Sequence, residues 1–270
     1  MNTKLNLIVK VTSLTLLILI FTQILLGAWV RLTGSGMSCP DWPLCYGMMV
    51  PLPEKVMAIE NIQYTYYQVF LEWIHRANAA FLIGPISLIL SFIIILNKKK
   101  LSCAPKLPYV LLFLLAIQGL LGGLTVFKSN IPWSVAIHLV CAFLLFFICL
   151  NIFLSTTKIR KSFIISRPAK LNILISGLLI MLTGAAGAYT SKSGASLSCK
   201  SWPGCNQNFL PNINDIFEII HFSHRILALL FILSISLLIY LIFNEYERMT
   251  SFLKKIFMGL PILMIFQTVV

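Results

Sequence analysis

Acidic residues are scarce in this chain. Eight Asp and Glu stand against 21 Lys and Arg in 270 residues, and charged residues make up only 11% of the total. A soluble domain of this length needs far more polar surface, so that class is excluded. Zinc sites use closely paired cysteines and four ligands, and the sequence has no such set. No Cys-x-x-Cys-His occurs, which excludes covalent haem attachment. The first apolar run is too long for a signal peptide and no small-residue cleavage site follows it, so a retained helix is expected. There is no Arg/Ser-rich transit segment, and the expected compartment is a bacterial inner membrane.

What the sequence has in quantity is apolar length. It is 59% hydrophobic, with mean hydropathy +0.92. Runs of about 20 apolar residues cross a bilayer as helices. The runs predict spans over 8–30, 67–96, 108–127, 134–156, 171–190, 215–243 and 256–270. The net charge of +13 lies between those runs, a placement that points away from nucleic acid. Lys4 and Lys10 precede the first span. Lys98, Lys99, Lys100 and Lys106 follow the second. Lys158, Arg160, Lys161, Arg167 and Lys170 follow the fourth, and Arg248, Lys254 and Lys255 follow the sixth. These are fourteen of the 21 basic residues. The positive-inside rule then puts the N-terminus in the cytoplasm and the loops 31–66, 128–133 and 191–214 outside.

Ionisable residues inside apolar runs are costly and are functional by default. Glu72, His75 and Arg76 form such a group, and Glu72 and His75 share a helix face. The group recurs in part as His221, His224 and Arg225. The repeat extends further. At an offset of 160, Gly27, Gly34, Ser38, Cys39, Trp42, Pro43 and Cys45 match Gly187, Gly194, Ser198, Cys199, Trp202, Pro203 and Cys205. After a shorter second loop the offset is 149, so His75-Arg76 matches His224-Arg225 and Gln118 matches Gln267. The chain therefore reads as all-α, a polytopic membrane bundle of tandem four-helix repeats with pseudo-twofold symmetry. The expected division is 1–156, a cytoplasmic linker at 157–170, and 171–270.

Five residues lie between Cys39 and Cys45, as between Cys199 and Cys205. Outside the cytoplasm such a pair reads as a short-loop disulfide, the alternative being two free thiols. His75, His138 and His224 each sit a few turns into a span from its outer end. Facing imidazoles in a bundle suit haem iron, and the alternative is a hydrogen bond to a neighbouring polar group. Arg76 and Arg225 suit haem propionates or snorkel to headgroups. Glu72 aligns with His221, so only one half carries the carboxylate. It suits proton handling beside a porphyrin, or a salt bridge to Arg76. His221 reads as a spare ligand, a propionate contact or a loop-end polar residue.

Thr33-Gly34-Ser35-Gly36, the Cys39…Cys45 loop with Pro40-Asp41-Trp42-Pro43, Glu72, His75-Arg76, His138, and the Cys199…Cys205 loop with His224-Arg225 together resemble the haem A synthase family. The resemblance covers nearly the whole chain. It implies an eight-helix membrane enzyme that oxidises the C8 methyl of haem O to the formyl of haem A for terminal oxidases. It also implies that Glu72, His75 and His138 hold the substrate haem and that His224 serves a permanent haem b. Membrane lipid, haem O synthase and terminal-oxidase assembly factors are the expected partners. The other function classes are a b-type electron carrier, against which the one-sided Glu72 argues, and a transporter, for which the charge-poor interior offers few ligands.

The family has eight helices and four ligand histidines, whereas this sequence ends within the seventh expected span. By the repeat, His138 maps to position 287, beyond Val270. The expectation is a truncated member whose C-terminal haem is five-coordinate, borrows His221, or is absent.

Overall fold

The computed structural model describes residues 3–101, 105–157, 165–243 and 259. Helices dominate: α1 Thr3–Leu32, α2 Pro53–Met57, α3 Tyr66–Ala77, α4 Gly84–Leu96, α5 Leu107–Phe127, α6 Pro132–Thr156, α7 Arg167–Lys192 and α8 Ile216–Phe243. A wide π-helical segment, Asn78–Ile83, joins α3 to α4, and a short 3-10 turn covers Ala195–Leu197. Six helical stretches are long and apolar enough to cross a membrane: Lys4–Leu32, Tyr66–Leu96, Leu107–Phe127, Pro132–Thr156, Arg167–Lys192 and Ile216–Ile242. These are the first six spans read from hydropathy, and the chain is a multi-pass membrane protein with an all-α polytopic fold. Apart from Gly259, the seventh expected span, 256–270, lies outside the described residues, as do Cys103 and Gln267.

Local chemistry sets the helix ends. Thr65 and Gln68 form a reciprocal capping box at the start of α3. Ser166 caps α7 through the Ala169 N–H, and the Asp215 carboxylate accepts from the Phe217 and Glu218 N–H groups at the start of α8. Prolines open α5 and α6, where their missing N–H leaves no helix bond unmade. The wide turn before α4 has a local cause in Gly84-Pro85. Pro85 has no N–H, and its ring would strike the carbonyl four residues back in a regular helix. The Gly84 N–H bonds instead to the Ala79 carbonyl, five residues back.

The chain forms two compact units, Met1–Lys158 and Ile159–Val270. In the first, α1 packs on α3, α4 and α6, and α5 packs on α4 and α6. Leu16, Leu90, Ile94, Leu111 and Ile152 are its fully buried centre. A smaller cluster of Cys39, Cys45, Val56 and Val69 lies under the loop after α1. In the second unit, α7 packs on α8, with Ala169, Leu238 and Ile242 buried together. Large apolar side chains such as Leu96, Phe113, Leu120 and Leu174 point outward from the spans. That is the expected surface for helices solvated by lipid.

Candidate functional site

Each unit carries a disulfide loop over the first turns of a helix that bears a histidine. Cys39–Cys45 and Cys199–Cys205 are both disulfide-bonded. The two loops repeat each other closely. Both have a cis Trp-Pro bond, at Pro43 and Pro203. Both close with paired backbone bonds, Cys45 with Met48 and Cys205 with Asn208. Left-handed residues follow the second cysteine in each, Tyr46 and Gly47 in one and Asn206 and Gln207 in the other. In the first loop the Asp41 carboxylate accepts from the N–H groups of Tyr46 and Gly47, satisfying that turn. Burial pushes the Tyr46 phenol above its ordinary pKa, and the neighbouring Tyr64, Glu72 and Asp41 push the same way.

The arginine after each histidine clamps its loop. Arg76 donates to the carbonyls of Cys39, Asp41 and Leu44 and to Glu72 Oε1. Arg225 donates to the carbonyls of Cys199, Ser201 and Gly204, each at an offset of 160 from its counterpart. A planar guanidinium suits three converging carbonyls, which a lysine ammonium matches poorly. Arg76 keeps only its Nε–H for another acceptor, and Arg225 keeps one NH2 hydrogen.

Glu72 is buried, with 4% of its surface exposed. Its Oε1 meets Arg76 at 2.6 Å. Its Oε2 accepts from the Cys39 N–H at 2.8 Å and from the Ser38 hydroxyl at 3.0 Å. In the second unit His221 takes this place, with Nδ1 3.3 Å from the Cys199 N–H and Nε2 3.2 Å from Arg225 Nε. A neutral imidazole accepts at only one ring nitrogen, so it holds the loop less completely than the carboxylate. Of the three sequence readings of His221, the geometry matches the loop-end polar residue.

The histidines lie below the loops. From the starts of their helices, His75, His138 and His224 sit about 9–14 Å in, at 1.5 Å per residue. Each has a glycine against its ring. A Cβ on Gly27 would stand 3.0 Å from His75 Cε1, one on Gly187 would stand 2.9 Å from His224 Cε1, and one on Gly122 would stand 3.6 Å from His138 Cε1. His75 Nδ1 and His138 Nδ1 are buried with no hydrogen-bond partner among the described residues. Their Nε2 atoms face glutamine amides, Gln23 Nε2 at 3.2 Å and Gln118 Nε2 at 3.3 Å. Gln23 also donates to the His75 carbonyl and accepts from Asn78 Nδ2. Sequence reasoning passed over Gln23 and Asn78. The available signal was an isolated amide in an apolar run, one turn before Gly27.

Glu72, His75 and Arg76 are thus gathered in the first unit around the Cys39–Cys45 loop, which also reaches α5. The Trp42 ring packs over Gly123 and meets Phe127 edge-on at 6.3 Å. His138 projects from α6 in the same unit. His221, His224 and Arg225 are gathered in the second unit under the Cys199–Cys205 loop.

Comparison with known proteins gives the lineage. Residues 10–270 match the family model COX15-CtaA, described as cytochrome oxidase assembly protein. Similar proteins include the Heme A synthase of Shewanella oneidensis, 30% identical over 288 residues, covering 95% of this chain and 86% of the relative. The Heme A synthase of Pelagibacter ubique is 30% identical over 273 residues, covering 87% and 80%. That of Alkalihalophilus pseudofirmus is 28% identical over 253 residues, covering 92% and 80%. A match over nearly the whole chain, together with the duplicated loop–histidine–arginine unit, means that this chain belongs to the COX15-CtaA family, that of the haem A synthases.

Proposed function

We propose that this chain is an oxidoreductase of haem A biosynthesis that converts the C8 methyl of haem O to the formyl of haem A. The observation that carries the reading is the unequal pair of sites. Of the two matched loops, only the first has a fully buried carboxylate, Glu72, three residues before the proposed ligand. The second loop's carboxylate, Glu218, is half-buried, six residues before His224, and bonded to Asn206 and Asn212. The residues suit a porphyrin. His75 and His138 each present a buried imidazole whose Nε2 faces a glutamine amide, and each has a glycine against its ring, where a Cβ would crowd the imidazole. In this reading His75 and His138 hold the substrate haem, and His224 holds a resident haem b. The bound haem b supplies one-electron redox chemistry. The propionate contacts assigned to Arg76 and Arg225 draw on the donors left over from the loops.

The chain's own groups then divide the work. With water as the oxygen donor, converting a methyl to a formyl group releases four protons and four electrons, the electrons passing to an external one-electron acceptor, so a proton acceptor is needed beside the substrate. Glu72 is three residues before His75 on the same helix and supplies a carboxylate there. Arg76 and the Cys39 N–H fix its position. The disulfide loop covers the site and limits water. In this reading the loop end faces away from the cytoplasm across a bacterial inner membrane, and the charge asymmetry supports that side.

The test is Glu72→Gln in the full chain, co-expressed with a source of haem O. Haem content should stay near wild type while haem A formation falls about 100-fold or more, the size typical of losing a general acid–base. Haem extraction with mass identification reads both. Wild-type amounts of haem A in that variant would sink the role of Glu72.

A further inference from the structure

The two units differ at a second point beside the proposed ligand. In the first, the Gln23 amide is oriented by its other partners. Its Oε1 accepts from Asn78 Nδ2 at 2.7 Å, and its Nε2 donates to the His75 carbonyl at 2.9 Å. The nitrogen 3.2 Å from His75 Nε2 is therefore an N–H donor, and His75 Nε2 is the acceptor. The ring proton then sits on Nδ1. This is the tautomer that offers Nε2 to a metal, but with its lone pair already engaged by the amide.

The second unit has other residues at the two matching positions. At the offset of 160 that matches Gly27 to Gly187, Gln23 corresponds to Thr183. The Thr183 hydroxyl is buried and has no hydrogen-bond partner among the described residues. At the offset of 149 that matches His75 to His224, Asn78 corresponds to Leu227. Asn78 also opens the wide turn Asn78–Ile83, whereas α8 runs through the matching stretch as regular helix. The amide pair thus accompanies Glu72 in one unit, and neither is present in the other.

We propose that Gln23, held by Asn78, is a positioning residue that stands in for iron at His75 Nε2 and makes the N-terminal site an exchange site. The inference rests on the reading above, in which this unit takes up one haem and releases another in each cycle. The amide keeps the empty site ordered, with the ligating tautomer already selected. It also stabilises the empty state by one hydrogen bond, which the iron must displace on entry and which re-forms on release. At the matching position of the second unit, Thr183 is too short to reproduce the contact.

The sign of the effect separates this role from simple packing. Removing a residue that only supports the site loosens the haem, whereas removing a competitor tightens it. The experiment uses the full chain carrying His224→Ala, so that haem is held only at the N-terminal site of His75 and His138, purified and loaded with haem B. Loss to excess apomyoglobin is followed by absorbance. Gln23→Thr should slow the loss and tighten binding by about 2–10-fold, the range set by one net hydrogen bond. Asn78→Leu, which frees the amide without removing it, should act in the same direction to a smaller extent. It serves as the readout if Gln23→Thr fails to fold. The low-spin band should stay in place in both. Release as fast as in the parent, or faster, in these variants overturns the inference alone. A parent that takes up no haem overturns the reading under Proposed function and this inference with it.

Discussion

At the scale of the residue, two small groups carry much of the site. Gly27 and Gly187 lie against the His75 and His224 rings, and a methyl on either would sit within about 3 Å of Cε1. An Ala on a helix gains about 1 kcal/mol over Gly, while overpacking beside a fixed ring costs about 1–3 kcal/mol. The two terms nearly cancel for the fold but not for ring position. Gly27→Ala should therefore keep wild-type thermal stability while lowering haem occupancy at His75. Haem-to-protein ratio and melting temperature, measured on one preparation, check this. A drop in both together would make Gly27 a packing residue only. The arginines were legible in the sequence as functional, but their targets were not. Loop carbonyls 32 to 37 residues away in the chain become neighbours of Arg76 only after folding.

At the scale of the element, hydropathy located six spans to within a few residues, because lipid solvation demands long apolar helices with every backbone group bonded internally. The wide turn in the second span was not foreseen, although Gly84-Pro85 was the available signal. Pro85→Ala restores a backbone donor and removes the ring clash. It should stabilise the helix by up to about 3 kcal/mol, the cost of proline inside a regular helix. The melting temperature should rise. A fall would mean that the wide turn is imposed by packing against α1 and not by the proline. The second unit supplies the control, since Ser234 stands at the position matching Pro85 and α8 is continuous.

At the scale of the whole chain, the disulfide loops give a topological prediction. Disulfides in loops this short stabilise by about 2–3 kcal/mol. In intact cells, Cys39, Cys45, Cys199 and Cys205 should resist thiol reagents until a reductant is added. They should then label with a membrane-impermeant maleimide from outside the inner membrane. Cys141 and Cys149, buried thiols within α6, should stay unlabelled in the folded protein. Ready labelling of the four loop cysteines without reductant, or labelling only from the cytoplasmic side, contradicts the placement. The sequence by itself determined the membrane class, the six spans, the duplicated loops and the candidate residues Glu72, His75, His138 and His224. It could do so because hydropathy, charge placement and repeat spacing are one-dimensional properties. Only the tertiary structure decided that Arg76 and Arg225 grip the loops, that His221 replaces Glu72 as the loop's acceptor, and that Gln23 faces His75. Those contacts join residues far apart in the chain, and helix packing and loop closure bring them within hydrogen-bond reach.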